Sequence, residues 1–125
     1  MTARGAEKAL EAGASGIVVS NHGGRVLDHC PATAEVLPEI ADAVGGKLTI
    51  FVDGAIRSGM DIFKALARGA DAVLIGRPFV TSVYGGGEEG VKLYVSKLKA
   101  ELADTMRMCG AHSLAEIDRS MIYRG

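Results

Sequence analysis

At 125 residues with 48% apolar side chains, the chain has the size and composition of one domain with a packed core. A formal net charge of −1 removes the general electrostatic case for nucleic acid or an acidic membrane surface as partner. No apolar run nears the ~18 residues of a membrane span, and the opening Met1-Thr2-Ala3-Arg4-Gly5 lacks a signal-peptide pattern.

Cys30 and Cys109 form no CxxC pair, so a reduced, cytoplasmic setting is expected. A first helix is predicted from about Ala3 to Ala12, with Thr2 as N-cap and Gly13 as its stop. The β-branched run Gly16–Ser20 reads as a buried strand. A second helix is expected over Ala34–Val44 behind Thr33, kinked or started late by Pro38. Leu48–Val52 reads as the second strand. Ser58, with Asp61 three residues on, opens a third helix that Gly69 ends. Ala72–Ile75 is the third strand candidate. A short helix near Pro78–Tyr84 is broken by Gly85-Gly86-Gly87. A long amphipathic helix follows over Glu88–Met108, closed by Gly110, and Ser113–Arg119 reads as a small last helix.

Lys8–Ala14 and Lys64–Ala70 echo each other, and each leads straight into a strand. Repeated helix–Gly–Ala–strand units are what stacked parallel βα modules look like. The fold class expected is therefore α/β: three parallel strands with flanking helices, an arc of a barrel. A complete eight-stranded barrel takes about 250 residues, so residues 1–125 are expected to be one incomplete domain, the carboxyl half of a larger fold.

Chemistry gathers where each strand ends, the end at which α/β folds bind ligands. After the first strand comes Ser20-Asn21-His22-Gly23-Gly24-Arg25. An imidazole titrates near neutral pH, and a guanidinium grips a carboxylate or phosphate with two parallel bonds. The plainer reading makes His22 a turn residue and Arg25 a solvated one. His22, Asp28, His29 and Cys30 crowd one loop without metal-ligand spacing, so no metal is expected. After the second strand comes Asp53-Gly54-Ala55-Ile56-Arg57. Its amides and Arg57 suit phosphate oxygens, and Asp53 suits sugar hydroxyls. After the third comes Gly76-Arg77-Pro78, which opens a helix, a recurrent phosphate arrangement in barrels. Each of these two has an ordinary reading as a turn with a surface arginine. Together they deliver glycine plus arginine at the same end of adjacent strands.

These three motifs, in this order, resemble the carboxyl-terminal half of the FMN-dependent α-hydroxy acid oxidases and dehydrogenases, the family of glycolate and lactate oxidase. The resemblance covers almost the whole chain. It implies a partial (β/α)8 TIM barrel with FMN at the carboxyl ends of its strands, and oxidation of a small 2-hydroxy acid to the 2-oxo acid. By the same resemblance His22 is the catalytic base and also contacts substrate, and Arg25 binds the substrate carboxylate. Ser20 contacts flavin, and Asp53, Gly54, Ala55, Arg57, Gly76 and Arg77 surround the cofactor's ribityl chain and phosphate. Ala55 stands where the family has a second glycine. The family's flavin-side lysine, its upstream tyrosines, a further arginine and the aspartate that pairs with the base have no counterpart here. The alternative is thus a catalytically inactive half-barrel that keeps phosphate- or flavin-binding loops. Partners expected are the 2-hydroxy acid and a complementing amino-terminal half or further copies of the chain.

Overall fold

The computed structural model describes residues 1–123. Three parallel strands lie in the order β1 (Gly16–Val19), β2 (Thr49–Val52), β3 (Ala72–Val73). Gly16 pairs with Thr49 and Val19 with Val52; Phe51 pairs with Ala72 and Val52 with Val73. The helices are α1 (Ala3–Glu11), α2 (Thr33–Val44), α3 (Gly59–Ala67) and α4 (Arg77–Cys109).

Local chemistry explains the boundaries. The Thr2 hydroxyl accepts from Gly5 N at 3.1 Å and caps α1. The two echoing segments end their helices identically. Gly13 and Gly69 take φ of 83° and 102°, and the next amides, Ala14 N and Ala70 N, reach back to Ala9 O and Ala65 O. This is the left-handed stop that glycine permits. At α3, Ser58 Oγ accepts from Asp61 N at 3.2 Å, and Asp61 Oδ2 accepts from Ser58 N at 3.0 Å. Burial would raise the Asp61 pKa, but bonds from the Ser58 hydroxyl and the Arg57 and Ser58 amides outweigh it and hold the carboxyl below its ordinary value.

Helix α2 differs from expectation: it starts at Thr33 and runs on through Pro38. Proline has no N–H to give the carbonyl four residues back. That carbonyl, Ala34 O, instead accepts from Arg68 Nη1 at 2.8 Å. The third strand is two residues long rather than four, although Leu74 N still bonds to Val52 O at 2.8 Å. As the glycine run predicts, α4 is two helices that meet at a sharp kink at Gly87 (φ 54°, ψ −135°), and the second folds back until the Tyr94 ring meets that of Phe79. In place of a last helix there are two 3₁₀ turns, Leu114–Glu116 and Arg119–Met121. Arg119 fastens this end to α2, bonding to Pro38 O at 3.0 Å and Asp42 Oδ1 at 2.8 Å.

The pleat sends alternate strand side chains to opposite faces. Val19, Ile50 and Val52 face a core completed by Ala6 of α1, by Leu37, Ile40 and Val44 of α2, and by Ala65 of α3. Phe63 and Ala67 of α3 build a second cluster with Ala111 and Ile117, against which Leu102 of α4 packs. The other sheet face carries Val18, Phe51 and Ala72 in register, and Leu74 follows just beyond β3. Val18 and Leu74 are 51% and 43% exposed there. Strands β1 and β3 each pair on one side only among the described residues. Among the described residues, then, the sheet is covered on one face and unpaired at both edges.

Candidate cofactor and substrate site

Because the strands are parallel, their carboxyl ends share one rim. Each motif sits where one strand stops. Ser20, His22, Arg25, Asp53, Gly54, Ala55, Arg57, Gly76 and Arg77 all line one cleft of about 800 Å³. That volume lies within the ordinary range for a small-molecule site.

The first loop is bent tightly. His22, Gly23 and Gly24 have φ of 53°, 65° and 74°. Asn21 Oδ1 accepts from Gly23 N at 3.0 Å, and Arg25 Nε donates to His22 O at 3.1 Å. A β-carbon on Gly23 would collide with Arg77 Nη2 and lie 3.9 Å from Arg25 Nε. The missing side chain therefore lets two guanidinium groups from different strand ends approach one spot. The His22 imidazole is exposed and has no hydrogen-bond partner among the described residues.

Asp53 joins the first and second loops. Its Oδ2 accepts from Ser20 Oγ at 2.7 Å, and Ser20 Oγ accepts in turn from His22 N at 3.1 Å. Its other oxygen, Oδ1, is buried without a partner. A buried acceptor left unpaired costs about 1–3 kcal/mol, so this atom is available to a hydroxyl donor. Thr33, which from sequence reads only as a helix start, also lines the cleft. Its buried hydroxyl donates to Asp53 O at 2.5 Å, and its Oγ1 lies 2.8 Å from where a Gly54 β-carbon would stand. Thr33 thus fixes the Asp53–Gly54 turn from α2. Nothing local signals this, because the partners are twenty residues apart.

Ala55 has φ of 59°, a conformation that disfavours a β-carbon. Ala55→Gly is expected to raise the chain's stability by about 1 kcal/mol, after the glycine's added unfolded-state entropy is discounted. Urea unfolding of both chains measures it, and an unchanged or lower midpoint contradicts the strain. In charge the rim carries Arg25, Arg57 and Arg77 against Asp53, which favours an anion.

The same segment order is matched along residues 1–124 by the family model described as FMN-dependent dehydrogenase. The chain belongs to the FMN-dependent dehydrogenase family. Among curated relatives, a peroxisomal (S)-2-hydroxyacid oxidase of Arabidopsis thaliana is 48% identical over 98% of this chain. Glycolate oxidase of Spinacia oleracea is also 48% identical over 98%. A mandelate oxidase in a structure with benzoyl-formic acid superposes with a TM-score of 0.92 at 44% identity over 95% of this chain. The chain spans about a third of these proteins: 34% of the Arabidopsis enzyme, 33% of the spinach enzyme and 36% of the mandelate oxidase. Among its described residues no helix is long and apolar enough to cross a membrane.

Proposed function

We propose that this chain forms the carboxyl-terminal arc of a (β/α)8 barrel that uses FMN to oxidise a small 2-hydroxy acid, of the glycolate or L-lactate type, to its 2-oxo acid. The observation that carries the reading is the orphaned Asp53 Oδ1 in a cleft flanked by guanidinium groups from adjacent strand ends. A flavin mononucleotide needs both things at once: an acceptor for ribityl hydroxyls and paired cations for phosphate. Asp53 and Ser20, with the Gly54–Ala55 backbone, would hold the sugar chain. Arg57 and Arg77, with the Gly76 turn, would hold the phosphate at the opening of α4.

The cofactor, when bound, would accept the two electrons and one of the two protons that the hydroxy acid gives up. The remaining work belongs to side chains of this loop. The Arg25 guanidinium binds the substrate carboxylate through parallel bonds and fixes which face of the substrate is presented. The His22 imidazole takes a proton from the substrate as its carbinol carbon becomes a carbonyl. His22 is held in reach by its own backbone, through His22 N to Ser20 Oγ and His22 O to Arg25 Nε.

A second reading is favoured for the isolated chain by a specific feature. Among the described residues His22 has no carboxylate to orient it and support its charged form, and the sheet is open at both edges. Alone, the chain would be an inactive half-barrel with competent binding loops. The uncovered Val18–Leu74 face supports closure by a complementing amino-terminal half or by further copies. Cys30 and Cys109 are unpaired, which suits a reducing, cytoplasmic setting. The test is an assay of the 125-residue chain with FMN, glycolate or L-lactate, and oxygen or a dye as electron acceptor. No turnover is expected until the complementing half is added. Sustained turnover by the chain alone would contradict the incomplete barrel.

A further inference from the structure

Helix α4 reaches back to both phosphate-side loops through one residue. The Tyr94 hydroxyl donates to Arg57 O at 3.0 Å, across 37 positions of sequence. Its ring meets Phe79 edge-on, with centroids 5.1 Å apart and planes at 75°. Phe79 lies two residues after Arg77, in the first turn of α4. The same side chain therefore contacts the loop bearing one guanidinium and the turn bearing the other. The Arg57–Ser58 peptide unit is gripped at both ends, because Ser58 N donates to Asp61 Oδ2 at 3.0 Å while the carbonyl accepts from Tyr94. A peptide plane bonded on both sides cannot rotate without losing one bond. Rotation of that plane would swing the Arg57 side chain off the rim.

We propose that Tyr94 is a positioning residue that sets the spacing of the Arg57 and Arg77 guanidinium groups for one phosphate. The proposal rests on the flavin reading above, but the mechanical part of it stands in the chain without ligand. Tyr94 touches neither substrate nor reacting atoms. It acts through the Arg57 carbonyl and the Phe79 ring. Two cations that share one anion must be held at matching distance, and flexible arginine side chains on independent loops lose that match to entropy. Phe is the discriminating replacement, since it keeps the ring contact and removes only the hydroxyl.

FMN is titrated into the 125-residue chain and its Tyr94→Phe, Arg57→Ala and doubly substituted forms, with flavin fluorescence as the readout and circular dichroism to confirm folding. Tyr94→Phe is expected to raise the dissociation constant about three- to tenfold, the range for one lost hydrogen bond. In the Arg57→Ala background the same change is expected to cost less than about twofold, because there is no guanidinium left to position. A second arm needs no ligand: the ¹⁵N shift of the Ser58 amide, whose peptide carries the Arg57 carbonyl, is expected to move in Tyr94→Phe, with backbone signals of residues 54–58 broadened. Equal affinity of Tyr94→Phe and the unaltered chain overturns the proposal, as does an equal loss with and without Arg57. If the unaltered chain binds no FMN, the flavin reading fails and the amide arm decides alone. A moved and broadened loop then supports the clamp, and an unmoved Ser58 amide overturns it.

Discussion

Replacing Arg57 and Arg77 together by alanine is expected to weaken FMN binding by the 125-residue chain at least about a hundredfold. Both guanidinium groups line the same cleft, and they come from the ends of adjacent strands. A charge-assisted hydrogen bond contributes about 1.5–3 kcal/mol, so two lost contacts sum to about 3–6 kcal/mol. Each single replacement is expected to take roughly half of that loss. Coupling through the shared phosphate would show as non-additivity in the double variant. Flavin fluorescence titration reads all three, and riboflavin, which lacks the phosphate, supplies the control. Its weaker binding is expected to be the same in every variant. A double variant that still binds FMN as the unaltered chain does would move the phosphate elsewhere on the molecule.

The largest stability effect is expected from Gly59→Ala. Gly59 opens α3 and is buried against α4, where a β-carbon would run into Leu102 N and the Glu101 backbone. Backbone cannot be pushed aside as a long side chain can, so α3 and α4 must separate. The displacement also threatens the bond from Gly59 N to Glu101 Oε2, 2.9 Å long, which closes the start of α3. Glu101 is itself held by Lys97 at 2.6 Å; the Lys97 bond first, and the Gly59 amide second, keep its pKa below the ordinary value. Overpacking of this kind costs about 1–3 kcal/mol, and the lost amide bond brings the total to about 3 kcal/mol. Urea unfolding followed by circular dichroism measures the change. A loss below about 1 kcal/mol would mean that α4 yields without cost, and the α3–α4 contact would then be no part of the core.

Much of this architecture is legible in the sequence because its causes are local. Ser58 and Asp61 lie within one helical turn, and their reciprocal bonds follow from spacing alone. The stops at Gly13 and Gly69 need only a residue that tolerates positive φ after a helix. The three motifs reach one rim because parallel strands place all their carboxyl ends together, so strand order and direction suffice. What is not legible depends on partners far along the chain. Pro38 reads as a kink, and only the arrival of Arg68 at Ala34 O explains why the helix runs on. Thr33 reads as a cap, and its hydroxyl is instead spent on Asp53 O. Tyr94 reads as one apolar position in an amphipathic stripe, while its hydroxyl serves Arg57. The carboxyl-terminal segment reads as helix by composition, yet Arg119 draws it onto α2 as 3₁₀ turns.

Asp53, Arg57 and Arg77 line one cleft, and we propose that they form a single receptor for a sugar phosphate joined to a flavin ring. Isothermal titration of FMN into the unaltered chain tests this most directly, repeated with inorganic phosphate as competitor. Saturable one-to-one binding that phosphate displaces, and that Asp53→Ala weakens independently of phosphate, is the predicted result. Absence of saturable binding, or binding indifferent to both phosphate and Asp53, would contradict it.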